Sequence, residues 1–225
     1  MPVNAPLPQR QAATTANPSS ALRRGSGPRF AALAALCGSP NTLLDVGCRD
    51  RALEAALPGS VRYTGLDLAP PADVVASAEE RLPFDDDAFE TLVYADVLEH
   101  LNTPHFALGE ATRVASRSIV LALPNVFLLT HRLGFLRGQL PTSKYDFGPV
   151  DPGDRHRWLM NVSQARHFAH GCAAAHGWQV ADEFAYDGAP RRFTARAAIG
   201  LLARASGPDL WASTYMARLE PTPAP

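Results

Sequence analysis

The stretch Thr42 to Asp50, TLLDVGCRD, decides how the rest of the chain is read. Thr42, Leu43, Leu44 and Val46 form a short apolar run, Asp45 interrupts it and Gly47 breaks it, the pattern of a buried strand ending in a tight turn. Asp50 then stands where an N-cap would start a helix over Arg51 to Leu57, closed by Pro58 and Gly59. Strand, glycine turn and helix make the first half of a nucleotide-binding unit. The next strand, Val61 to Leu68 (VRYTGLDL), carries Asp67, 20 residues beyond Gly47. At that spacing a carboxylate can accept both hydroxyls of an adenosine ribose. Capping of the strand end is the plain structural alternative for this aspartate.

Outward from this unit the pattern repeats. Ala72 to Ala76, Phe89 to Tyr94 (FETLVY) and Ser118 to Leu123 (SIVLAL) read as three more short strands. Thr103 and Pro104 open a helix to about Ser116, with Phe106 or Ala107, Ala111 and Val114 facing inward. Upstream, Arg29 to Cys37 is a short helix stopped by Gly38 and Pro40. Downstream, Ser163 caps a helix striped by Ala165, Phe168, Ala169, Cys172 and Ala173, followed by a sixth strand at Trp178 to Phe184. Arg191 to Ala205 is an arginine-bearing connection with helical potential, and Leu210 to Leu219 alternates like a final strand. Strands alternating with helices imply an α/β fold, a parallel sheet covered on both faces. Right-handed crossovers then bring the loops carrying Gly47, Asp67, Ser77 and Asp96 to one edge.

With 225 residues, 46% of them hydrophobic, the chain suits one substantial core rather than two. A formal net charge of −1 argues against a general nucleic-acid binder, because no excess of cations is available to displace phosphate counterions. Lys144 is the single lysine among 21 basic residues, a bias of composition rather than of function. Cys37, Cys48 and Cys172 are odd in number and widely spaced, which favours neither a disulfide framework nor a cysteine metal site. The chain lacks a membrane-length apolar run and a secretory-type start, so a soluble, cytoplasmic protein is expected. Residues 1–28 read as a disordered tail, 29–219 as the folded domain and 220–225 as a second tail. The run Asp85 to Asp87 reads as a solvated turn, and His167 and His170 as exposed side chains, so no metal site is expected.

Taken together, LLDVGC, GLD, ERLPFDDDAFETLVYADVLEHL and the LPN after the fifth strand resemble the class I S-adenosylmethionine-dependent methyltransferases, in the broad small-molecule and ubiquinone-type group. The likeness covers Leu43 to Asn125, and DRHRW at Asp154 to Trp158 resembles a later signature of some bacterial members. It implies a Rossmann-like, doubly wound, mostly parallel sheet with an antiparallel last strand inserted between the fifth and sixth. It implies S-adenosyl-L-methionine as cofactor, with Asp45 and Gly47 at its methionine end, Asp67 on the ribose and Leu68 on the adenine. Ser77 and Ala78 match the stretch that reads the adenine edge, and Ala95 and Asp96 the segment beside the methyl group. Two departures stand out. Arg49 and Arg51 replace glycines, which calls for ordinary dihedrals in the turn, and Ser77 replaces an acid. Two outcomes follow: weaker cofactor binding with Arg49 paired to the methionine carboxylate, or a lost cofactor site.

Residues 124–160 form a long connection at the ligand edge, the place for a lid or an acceptor site. Val126 to Leu140 has the composition of an amphipathic lid helix, with core packing or membrane-surface contact as alternatives. Arg155, His156, Arg157 and Trp158 suit an anionic or aromatic acceptor, with solvated loop arginines around one buried Trp158 as the alternative. His100 and His156 are the candidate catalytic bases. The expected activity is methyl transfer to a small-molecule, lipid or glycan-intermediate acceptor, the alternative a non-catalytic methyltransferase-like binding or scaffold domain. A nicotinamide oxidoreductase is disfavoured by the missing third glycine. The acceptor atom and the oligomeric state are not encoded in any motif.

Overall fold

The structure is a computed structural model that describes residues 22–145, 149, 153–188 and 207–223. Its strands are β1 (Arg23–Gly25), β2 (Thr42–Val46), β3 (Arg62–Asp67), β4 (Val74–Val75), β5 (Phe89–Ala95), β6 (Ala115–Pro124), β7 (Trp178–Tyr186) and β8 (Thr214–Pro221). The α-helices are α1 (Arg29–Cys37), α2 (Pro104–Val114), α3 (Leu129–Phe135) and α4 (Val162–Ala175). The strands join in one sheet, in the order β1-β7-β8-β6-β5-β2-β3-β4. Pairing is parallel except along β8, which runs antiparallel to both β6 and β7. This is the doubly wound sheet with an antiparallel inserted last strand that the motifs implied.

Alternate residues of the central strands feed two separate cores. Leu43, Val93 and Val120 pack with Leu33 and Leu36 of α1 on one face. Leu44, Leu92 and Leu121 pack with Ala107, Ala111 and Val114 of α2 and Ala165, Ala169 and Ala173 of α4 on the other. Leu43 and Leu44 are both fully buried, and each such side chain contributes about 2 kcal/mol of hydrophobic stabilisation. Of the two residues weighed for α2, Ala107 is the inward one, while Phe106 is exposed.

Several local expectations change. The helix expected over Arg51 to Leu57 is a loop with a single 3-10 turn at Glu54–Ala56. Arg51 has φ of 60°, which no right-handed helix accommodates. The cap of α4 is Asn161, not Ser163. Its side chain accepts the amide of Gln164 at 2.8 Å, and the Gln164 side chain accepts the amide of Asn161 at 3.0 Å. Thr103 does not cap α2 with its side chain. Glu79 takes that place, accepting from the amide and side chain of Asn102 at 2.6 and 2.9 Å and from the Thr103 hydroxyl at 3.2 Å. The lid helix expected across Val126 to Leu140 is the shorter α3, with Leu133, Phe135, Leu136 and Leu140 exposed on and beyond it.

The amino-terminal tail is shorter than 28 residues at its inner end, since β1 pairs with β7. An edge strand needs little apolar content, and here charge helps. Arg23 pairs with Asp182, and Arg24 with Asp187 at 2.5 Å. Gly25 must be small, because a Cβ there would lie 2.4 Å from the Phe184 ring. Residues 1–21 and the connection expected over Arg191 to Ala205 lie outside the described residues. Among the described residues no helix is long and apolar enough to cross a membrane.

His170 is not free. On the α4 face Glu183 of β7 accepts from Arg166 Nη2 at 2.6 Å, from the Tyr215 hydroxyl at 2.7 Å and pairs with His170 Nε2 at 3.1 Å. Burial pushes the Glu183 carboxyl upward, but the hydrogen bonds from His170, Arg166 and Tyr215 outweigh it and hold the pKa at about 2. A carboxyl depressed in the folded state stabilises the fold above its unfolded pKa and loses that contribution as pH falls toward the folded value. Glu183→Gln is therefore expected to cost about 2 kcal/mol at neutral pH. The gap in thermal unfolding midpoint from wild type should close between about pH 4.5 and 2; a gap independent of pH would reject this account.

Candidate active site

The turn after β2 is held by backbone. The amides of Gly47 and Cys48 both donate to the Leu66 carbonyl, at 2.7 and 3.2 Å. Gly47 has φ of 78°, and a Cβ there would come 2.4 Å from Val97 Cγ2, so conformation and space both require glycine. One residue on, the amide of Arg49 donates to Asp67 Oδ2 at 2.8 Å, and the amide of Leu68 donates to Asp67 Oδ1 at 2.6 Å. Asp67 thus braces the turn at the carboxyl end of β3, with acceptor lone pairs to spare.

The two arginines at glycine positions do not adopt ordinary dihedrals. Arg49 has φ of 48° and Arg51 of 60°, both left-handed. Each costs about 1 kcal/mol relative to a right-handed conformation, and local bonds offset that cost. Arg49 is held through its amide by Asp67. Arg51 reaches Asp73 at 2.7 Å and Glu54 at 2.8 Å, and its guanidinium lies 4.9 Å from the centre of the Tyr63 ring. The chain keeps the glycine-type turn without the glycines.

Beside this turn opens a cleft of about 480 Å³ at the carboxyl ends of β2, β3 and β5. Gly47, Arg49, Asp67, Leu68, Ser77, Ala78, Asp96 and His100 all line it. Leu68 is 72% exposed, an apolar side chain left open at the mouth. Ser77 Oγ accepts the amide of Glu79 at 3.1 Å. Two expected site residues lie elsewhere. Asp45 is buried behind the turn, where Tyr63 donates to it at 2.7 Å. Burial raises its pKa to about 6, against the lowering effect of the Tyr63 hydrogen bond. Ala95 packs into the α1-side core. Strand alternation turns these two side chains away from the cleft.

The opposite end of the cleft is built by the segment after β5. Asp96 has φ of 57°, and its carboxylate pairs with Arg29 of α1. Leu98–His100 forms a 3-10 turn. The Glu99 carbonyl accepts from the amides of Arg157 and Trp158 at 2.8 and 3.2 Å, Arg157 Nε donates to the His100 carbonyl at 2.9 Å, and Trp158 Nε1 donates to the Leu101 carbonyl at 2.7 Å. These bonds dock the DRHRW segment across the turn and bring Arg155 and Arg157 to the cleft wall. They also set the rings of His100 and His156 edge to face, 4.5 Å apart.

His100 Nδ1 faces the Arg155 carbonyl at 2.9 Å, so it carries the proton and leaves Nε2 as an acceptor, 3.4 Å from Lys144 Nζ. His156 Nδ1 lies 3.0 Å from the Tyr145 hydroxyl. Burial, then the charges of His100 and Lys144, lower the His156 pKa to about 4. Burial and Lys144 likewise lower that of His100.

Pattern reading passed over Glu99, which is fully buried although it stands between two lining residues. Neither of its oxygens has a hydrogen-bond partner among the described residues. Burial first, and the nearby Asp96 charge second, raise its pKa. The only available signal was its place beside His100 in DVLEH. Lys144 and Tyr145 were missed as well, because they arrive from the long connection. Glu99, His100 and His156 form one group of potential metal donors, with their ligand atoms within 4.8 Å of one another.

Comparisons with known proteins agree with this geometry. Residues 44–122 match a family model described as a methyltransferase domain. The fold resembles the methyltransferase domain of bacterial CtHen1-C (TM-score 0.56, 14% identity, covering 87% of this chain and 97% of that one). It also resembles a chain of the Haloferax volcanii complex between the Trm112 methyltransferase activator and a putative methyltransferase (TM-score 0.55, 16% identity, 87% and 90% covered). A third likeness is to Burkholderia thailandensis 1,6-didemethyltoxoflavin-N1-methyltransferase, solved with 1,6-didemethyltoxoflavin and S-adenosylhomocysteine (TM-score 0.51, 14% identity, 86% and 76% covered). No curated protein matches the chain. A methyltransferase domain model is thus matched at the strand, turn and acid described above, and the sheet has the Rossmann-like order of the methyltransferase structures that the chain resembles.

Proposed function

We propose that this chain binds S-adenosyl-L-methionine in the cleft beside Gly47 and transfers its methyl group to an anionic small-molecule, lipid or glycan-intermediate acceptor. The observation that carries the reading is the Asp67 carboxylate, fixed by two backbone amides at one end of a cleft whose other end is walled by His100, Arg155 and Arg157. The residues fit the cofactor. Asp67 suits the ribose diol, exposed Leu68 the adenine face, and Ser77 and Ala78 its edge. Arg49 is the partner for the methionine carboxylate, and Gly47 and Asp96 border the methyl end. Asp45 acts from behind, bracing Tyr63 and through it the turn. Bound there, the cofactor supplies an activated methyl group on a sulfonium, so the protein's work is alignment and exclusion of water.

The Arg155 and Arg157 guanidinium groups support an acceptor carrying a carboxylate or phosphate. His100 and His156 are the groups placed to receive a proton where the acceptor must lose one. The left-handed arginines weaken the scaffold alternative, since its main support was a turn that arginine would distort.

Calorimetric titration with S-adenosylmethionine and S-adenosylhomocysteine tests the cofactor. Micromolar binding is expected for wild type, weakened at least about tenfold in Asp67→Ala; no binding at millimolar ligand would replace this reading with the non-catalytic one. A second measurement addresses the histidines. In a screen of acidic acceptors read by S-adenosylhomocysteine release, His156→Ala should lower turnover by about 100-fold while changing cofactor affinity less than about threefold. Equal loss in both, or loss in neither, would remove His156 from the chemistry.

A further inference from the structure

We infer that Glu99, His100 and His156 form a binding site for one divalent transition-metal ion at the acceptor end of the cleft. Its use as an anchor for acceptor oxygens rests on the methyltransferase reading, whereas metal binding itself does not.

The three donor atoms lie within 4.8 Å of one another. Glu99 Oε1 lies 4.0 Å from His100 Nε2 and 3.9 Å from His156 Nε2. Two donors that share one ion, each bonded at about 2.1 Å, stand about 3 to 4.2 Å apart. The existing spacing is therefore within reach with little movement. Glu99 is fully buried and neither oxygen has a partner among the described residues. A carboxylate taken from water without a partner costs several kcal/mol, and a cation is the partner that would offset this.

The ring orientations agree. Each imidazole has its Nδ1 engaged, His100 with the Arg155 carbonyl at 2.9 Å and His156 with the Tyr145 hydroxyl at 3.0 Å. Outer hydrogen bonds of this kind orient a metal-binding imidazole and leave the other nitrogen for the ion. Here that nitrogen is Nε2 in both rings, and both turn toward Glu99. The frame is also prebuilt, because the Glu99 carbonyl takes the two amides that follow His156. Two imidazoles and one carboxylate favour manganese, iron, cobalt or zinc over magnesium or calcium. Three protein ligands leave positions open, and His100 lines the cleft, so those positions fit an acceptor that presents oxygen atoms; with an ion bound, His100 and His156 would serve as ligands in place of the proton-accepting role given above.

Lys144 borders the site. Its ammonium lies 3.4 Å from His100 Nε2 and 3.1 Å from Asp154 Oδ2. Asp154 already holds this ammonium, which supplies positive charge at the edge of the site.

The test uses the full chain stripped with a chelator, titrated with Co²⁺ and Zn²⁺ by calorimetry and examined with Mn²⁺ by pulsed electron paramagnetic resonance. Saturable uptake of one ion per chain is expected, with nitrogen coupling from imidazole in the wild-type Mn²⁺ spectrum. Glu99→Gln and His156→Ala should each weaken uptake by at least about tenfold, with S-adenosylhomocysteine affinity unchanged within about threefold as evidence of an intact fold. No saturable uptake of any of the three ions, a Mn²⁺ spectrum without nitrogen coupling, or uptake unaltered in both variants would overturn the site. Metal uptake with this pattern in a chain that fails to bind S-adenosylhomocysteine would support the site and sink the methyltransferase reading instead.

Discussion

Strands β2, β5 and β6 are out of water on both faces, and the parallel pairing this demands governs the rest of the molecule. Parallel neighbours need crossovers, and right-handed crossovers return every chain segment to the same end of the sheet. The turn at Gly47, the end of β3 at Asp67 and the segment after β5 therefore open onto one cleft. The odd strand confirms the logic. Because β8 runs antiparallel between β6 and β7, it reaches its place with its loop at the same edge, where Asn125 donates to the carbonyls of Asp209 and Ala212 at 2.9 and 2.8 Å.

The cleft has two ends of different chemistry. At one, backbone amides, a braced carboxylate and an exposed leucine make the surface proposed above for a ribose and a flat ring. At the other, His100, Arg155 and Arg157 make a polar wall, backed by the His156 ring and the buried Glu99. The proposed methyl transfer suits this asymmetry, since one substrate would be held by many weak contacts and the other aimed. Three of the four left-handed non-glycine residues among those described, Arg49, Arg51 and Asp96, lie in the segments that build the cleft. Each is tied to an oppositely charged or hydrogen-bonding neighbour, which is how a sheet edge keeps costly backbone conformations near a site.

Local pattern carried much of the reading. The buried strands, the turn at Gly47, the acid at Asp67 and the stripe of α2 are legible because each depends on residues a few positions apart. The errors have a common cause. The helix expected after Asp50 gave way to a loop because the left-handed Arg51 is held from Asp73, Glu54 and Tyr63, contacts invisible to helical periodicity. Ser163 looked like a cap, yet Asn161 two residues earlier had a matching Gln164. Asp45 and Ala95 were assigned to the cleft from motif position, while strand alternation turned them inward.

By itself the sequence determined the alternation of strands and helices, the glycine turn and acid that face the cleft, and the likeness to a methyltransferase domain, since hydrophobic periodicity and turn chemistry are written within short windows. Tertiary structure alone decided that Arg23–Gly25 joins the sheet, that arginines take glycine conformations, and that His156 meets Glu99 and His100 across the long connection. Such contacts depend on which backbone groups and charges remain unpaired once the sheet has formed, a balance settled only when distant segments are packed together.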